Sequence, residues 1–114
     1  MEKNYYSLEN CKIASLTAET ANYLERLNFN VEYAGAIYQA DPDSYSKIIA
    51  ATSQTELPLD FYWIDNDNNK VACNMQNLQE LANVIFLKRF FLFKEHQNRK
   101  EIIKNATTVD GLFF

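Results

Sequence analysis

Between Val84 and Phe93, eight of ten residues are large and apolar, and only Lys88 and Arg89 interrupt them. The run is too short and too charged to cross a membrane, which takes about 20 apolar residues. It is also too apolar for an ordinary surface helix, which needs one apolar stripe. Leu78, Leu81, Ala82, Ile85, Arg89, Leu92, His96, Arg99 and Ile103 recur at spacings of three and four, and these set the inner face of a long helix. Asn74 or Asn77 can cap it, and it runs to about Asn105. Val84, Phe86, Leu87, Phe90, Phe91 and Phe93 then spread over the rest of its circumference. Something must cover them, either other helices of the same domain or a second chain. The reading preferred here is a homo-oligomer formed through this helix. Beyond Glu95 the pattern turns polar, as suits an exposed extension.

The upstream chain supplies the layers against which such a helix can pack. Ile13, Leu16, Thr20, Leu24 and Leu27 predict the inner stripe of a first helix, about Glu9 to Leu27, which Asn28 can end in a left-handed conformation. Asn30 to Tyr33 and Ala36 to Gln39 are rich in Val, Tyr and Ile. With Ala34-Gly35 between them they read as a tight hairpin. Asp41 is a good N-cap and Pro42 a good first residue for a short helix, Pro42 to Thr52, whose inner face is Tyr45, Ile48 and Ile49. Phe61 to Ile64 and Lys70 to Asn74 predict a second hairpin across the polar turn Asp65-Asn66-Asp67-Asn68-Asn69. The fold class is therefore α+β, ordered helix, β-hairpin, short helix, β-hairpin, long C-terminal helix. The 114 residues read as a single domain.

Charge narrows the function. The net charge is −4 and the pI about 4.9, which disfavours nucleic acid as a partner because phosphate contacts need Lys and Arg. Residues 1–74 are acidic, and residues 75–106 carry six basic against three acidic side chains. Self-complementarity within or between chains accounts for that asymmetry more simply than a nucleic-acid face does. Cys11 and Cys73 are the only cysteines and do not make a disulfide framework. The N-terminus has no apolar signal segment. Together these place the chain in a reducing cytoplasm with free thiols.

Candidate chemistry is sparse. The turn from Asp65 begins like a calcium loop, but Lys70 stands where that loop needs Gly and Gln76 where it needs Glu. His96 is the sole histidine, so a zinc site has too few ligands, and its neighbours Glu95, Gln97 and Asn98 suggest a solvated side chain. An enzyme or nuclease accessory would require a buried polar pocket around His96. Two glycines, Gly35 and Gly111, are too few for a phosphate loop. No catalytic residue, metal ligand or cofactor site emerges. Trp63 is either core or a candidate aromatic anchor for a partner.

Several segments carry a resemblance. Leu27-Asn28-Phe29 stands where a first helix ends. Tyr33-Ala34-Gly35-Ala36-Ile37-Tyr38-Gln39 forms a hairpin, and Asp41 with Ser44 follows it. Trp63-Ile64-Asp65-Asn66-Asp67-Asn68 is the most specific piece. Leu78 to Ala106, with Lys100-Glu101-Ile102-Ile103 late in it, closes the pattern. From about Cys11 to Leu112 the chain resembles a family of small domains, catalogued as a domain of unknown function, found at the C-terminal ends of bacteriophage and prophage tail-fibre and tail-fibre-assembly proteins. It departs from the family's pattern in Asn28, where glycine is usual, and in a long helix richer in phenylalanine. It also lacks a preceding tail-fibre region, which favours a free accessory protein.

The resemblance implies no catalytic residues. It implies a phage or prophage viral protein, not an enzyme, that binds other proteins in tail or tail-fibre assembly. Its place would be the bacterial host cytoplasm or the virion, with no membrane. The alternative from another class is a small acidic phage-encoded inhibitor of a host defence enzyme, anti-CRISPR-like, acting by occlusion. Acidic groups gathered on one surface would favour that alternative. The expected contact residues are Phe86, Phe90, Phe91 and Phe93, with Arg89 beside them, while a host-target inhibitor would use the acidic N-terminal surface.

Overall fold

The computed structural model describes residues 7–112. The element order is α1 (Leu8–Arg26), β1 (Asn30–Tyr33), β2 (Ala36–Gln39), α2 (Pro42–Thr52), β3 (Tyr62–Ile64), β4 (Lys70–Ala72), α3 (Met75–Asn105) and a 3-10 turn (Val109–Leu112). The fold is α+β, as expected, with two separate antiparallel hairpins, β1–β2 and β3–β4. Two compact units emerge from the packing: Leu27–Phe90, and the segments up to Arg26 and from Phe91 onward. The helix α3 runs through both.

In the Leu27–Phe90 unit, β1 pairs with β2 in the register Val31 to Tyr38 and Glu32 to Ile37. Ala34 (φ 51°) and Gly35 (φ 82°) make the turn between them. Two successive positive φ values match the twist of a two-residue hairpin. The alternation of strand side chains puts Val31 and Tyr38 inward. They pack with Ala40, Ile48, Leu78, Leu81, Ala82 and Ile85 into one core. Ile48, Leu78 and Ile85 are fully buried, and each contributes roughly 1.5–3 kcal/mol from burial.

Polar caps fix the ends of these elements. The Asp41 carboxylate accepts from the Ser44 hydroxyl at 2.6 Å and the Ser44 amide at 3.4 Å. These bonds hold its carboxyl below the ordinary carboxylate range. Asn74, and not Asn77, is the cap of α3. Its Oδ1 accepts the Asn77 amide at 2.8 Å, while the Asn77 side chain accepts the Asn74 amide at 3.1 Å. The pair satisfies two backbone donors at the helix N-terminus.

In the other unit, α1 packs with the later part of α3 and the 3-10 turn. Leu92, Ile103 and Leu112 are buried. The Lys12 ammonium donates to the Lys104 carbonyl at 2.8 Å, closing an orphan acceptor at the negative end of α3.

Several expectations need correction. Most of the predicted inner stripe of α1 faces outward: Ile13 is 59% and Leu24 57% exposed and Thr20 is exposed, while Leu16 is half-buried and only Leu27, just past the helix, is buried. Its covered side carries Cys11, Lys12, Ser15, Leu16, Glu19, Tyr23 and Arg26, with Glu19 the one buried among them and paired to charged partners. Ile49 on α2 also faces out, and Ser44, Tyr45, Ile48 and Ala51 form the packed side. Asn28 does not terminate α1 in a left-handed conformation; among the described non-glycine residues only Ala34 and Asn68 have positive φ. The second hairpin is shorter than expected because Phe61 and Cys73 lie outside its ladder, joined by a bond of 3.3 Å from the Cys73 amide to the Phe61 carbonyl.

Candidate functional site

The long helix places its phenylalanines as its sequence suggests. Leu78, Leu81, Ala82, Ile85, Leu92, His96 and Ile103 are buried along one stripe. In the Leu27–Phe90 unit, Phe86 and Phe90 stand 52% and 48% exposed. They are four residues apart, and their parallel rings lie 6.2 Å apart, the offset-stacked spacing of an i, i+4 aromatic pair. In the other unit, Phe91 and Phe93 are 58% and 44% exposed.

Arg89 separates from this set. Its guanidinium carbon lies 4.9 Å from the Tyr45 ring centre, so it serves the packing of α3 on α2. Lys88 is the cation nearer solvent, with its ammonium 5.1 Å from the Phe29 ring centre.

Trp63 is half-buried and packs against the Leu27–Phe90 core, its ring 6.2 Å from that of Phe61. It also lines an open cleft of about 460 Å³, with Gln39, Lys47, Tyr62, Asn66 and Asn68 among the other walls. Core and candidate anchor are thus two sides of one residue. The neighbouring turn is organised by Asp65, whose carboxylate accepts the Asp67 amide at 2.9 Å and the Asn69 amide at 2.8 Å. The Asn69 backbone bond leads in holding the Asp65 carboxyl below its usual range. These oxygens organise a hairpin turn, and among the described residues no group of three or more His, Cys, Asp or Glu could hold a metal ion.

The second polar centre was not legible in the sequence. His96 is buried at 6% exposure and Glu19 at 7%, which corrects the expectation of a solvated histidine. His96 Nδ1 lies 2.9 Å from Glu19 Oε2. A carboxylate can only accept, so Nδ1 carries the proton. The imidazole stacks on Tyr23 with centroids 4.2 Å apart. Arg26 donates to the same carboxylate oxygen at 3.0 Å, and Arg99 Nε lies 3.8 Å from the other. Both Glu19 oxygens therefore face cations or a donor. Glu19 itself lines a polar cavity with Ser15, Asn22, Arg26 and Arg99, while His96 is not among the lining residues. The cluster joins α1 to α3 through Glu19 and His96. The only available signal was His96 falling on the inner stripe of α3, and its polar neighbours in sequence masked it.

No described helix is long and apolar enough to cross a membrane. A family model described as a domain of unknown function, DUF4376, matches residues 12–112. No curated protein and no solved structure matches the chain.

Proposed function

The chain belongs to the DUF4376 family of domains of unknown function, and on that premise we propose that it is a non-enzymatic accessory domain that binds other proteins through α3. The observation that carries this reading is the exposure of Phe86, Phe90, Phe91 and Phe93 on a helix whose inner stripe is already filled. Large rings left in water favour association, and aromatic residues are enriched where proteins meet. The occupant proposed is a second copy of the chain. The charge asymmetry supports it, since the acidic first 74 residues complement the basic segment 75–106. Tail or tail-fibre assembly in a phage-infected bacterium is the setting that the family resemblance suggests, in the host cytoplasm or the virion. The defence-inhibitor alternative asked for acids gathered on one free surface. Glu19, Asp41 and Asp65 are engaged by side chains and amides within the fold, whereas Glu9, Glu25, Glu32, Asp43, Glu56, Asp60 and Asp67 are exposed, so the second reading rests on these seven.

Light scattering on the purified chain tests the reading. We expect a mass of at least two chains, falling to 13.3 kDa in Phe90→Asp and Phe91→Asp with unchanged circular dichroism. A monomer at every concentration, or variants that unfold without first dissociating, would overturn the helix as a self-interface.

A further inference from the structure

We propose that the cleft between β2, α2 and the β3–β4 turn binds a neutral saccharide. Its volume of about 460 Å³ lies within the roughly 300–1,000 Å³ typical of small-molecule sites. Two kinds of surface meet in it. Tyr62, with the Lys70 ammonium 4.9 Å over its ring, and the half-buried Trp63 contribute aromatic area to the lining, while Gln39, Asn66 and Asn68 contribute three carboxamide residues. A pyranose ring matches both. Its C–H faces are apolar and weakly positive, and so pack on the negative face of an aromatic ring. Its hydroxyls each donate and accept, as a carboxamide does.

The same lining argues against other ligands. Lys47 is the only cation among the lining residues, Asp65 stands in the same wall, and the Lys47 ammonium is already 3.0 Å from Asp43. A phosphate or carboxylate would find Lys47 already paired and the Lys70 ammonium engaged over the Tyr62 ring at 4.9 Å. A wholly apolar ligand would strip water from three carboxamides without replacing their hydrogen bonds.

The walls are pre-organised. The Asn66 amide donates to the Ile37 carbonyl at 2.7 Å, tying the second turn to the first hairpin. Asp65 gathers the Asp67 and Asn69 amides, and Asn68 sits in the left-handed region at φ 64°. A ligand would meet a turn already ordered, which lowers the entropy lost on binding. The Asn66 Oδ1 accepts a long bond of 3.5 Å from Asn30, which a hydroxyl donor can readily better.

Trp63 is the only tryptophan in the chain, so its emission reports on this cleft. The full chain is titrated with maltohexaose, mannotriose, cellotetraose and chitotriose, and a labelled copy is applied to an array of neutral and acidic glycans. We expect a saturable emission change with at least one neutral glycan. Tyr62→Ala and Gln39→Ala should each weaken it by about tenfold with circular dichroism unchanged. Tyr62 is half exposed and Gln39 is exposed, so both variants should fold. The proposal is overturned by no saturable change with any neutral glycan, by binding confined to acidic glycans, or by binding that survives both substitutions. None of these outcomes bears on the oligomeric state, so the cleft and the α3 face fail or stand separately.

Discussion

The Glu19 carboxylate and the His96 imidazole meet at 2.9 Å, both more than nine-tenths buried. They lie 77 residues apart, one on each of two packed helices. A buried carboxylate is tolerated only when it is paired and hydrogen-bonded, and Glu19 satisfies this with His96, Arg26 and Arg99.

Glu19→Ala should therefore destabilise by about 3 kcal/mol, because it strands the buried His96 and the Arg26 guanidinium, while Arg99 keeps only Glu95 at 3.9 Å. Urea denaturation followed by circular dichroism checks this. Loss of less than about 1 kcal/mol would mean that the cluster behaves as a surface pair.

The outward turn of α1 gives a contrasting pair. Leu24→Lys should stay within about 0.5 kcal/mol of wild type, as exposed substitutions do. Ile103→Ala, at a position 1% exposed, should cost about 3 kcal/mol through the cavity it opens. Equal losses would place the apolar stripe of α1 inside.

Ala34 holds φ at 51° in the first hairpin turn, a region that disfavours side chains carrying a Cβ. Ala34→Gly should stabilise by about 0.5–1 kcal/mol, read as a higher midpoint in thermal melts. A lower midpoint would show that the glycine's extra freedom in the unfolded chain outweighs the relief of strain.

Acid should weaken the Leu27–Phe90 unit. Tyr33 donates to Glu80, and this bond is the first cause holding the Glu80 carboxyl below its ordinary 4.5. Asp41 and Asp65 are lowered too, by Ser44 and Asn69. A lowered folded value gives stability present above the unfolded value and lost as pH falls through the folded one. The Glu80 bond likewise raises Tyr33 above its ordinary 10.0, so its share is lost as pH rises through that folded value. Stability against pH should thus decline below about pH 4.5, and the decline should shrink in Tyr33→Phe. An unchanged acid limb in that variant would remove Glu80 from the account.

Local rules carried much of this fold. Asp41-Pro42 announced α2, Ala34-Gly35 the first turn, and the spacing from Leu78 to Ile103 the buried stripe of α3. Each depends on residues within one or two turns of the chain, where capping, positive φ and helical period act. The exposure of the four phenylalanines was also foreseeable, since one helix cannot bury its whole circumference against one layer.

The sequence by itself thus determined the α+β order, the element positions and the inner stripe of α3. The tertiary structure alone decided which way α1 faces and what His96 does. Apolar periodicity predicted Ile13 and Leu24 inward, but the covered side of α1 carries Glu19 in a buried charge cluster instead. Glu19 meets His96 there across 77 residues, and no spacing rule along one helix encodes a pairing between two. The cleft beside Trp63 is of the same kind, because Gln39, Lys47 and Asn66 share a wall only after the second turn bonds to Ile37.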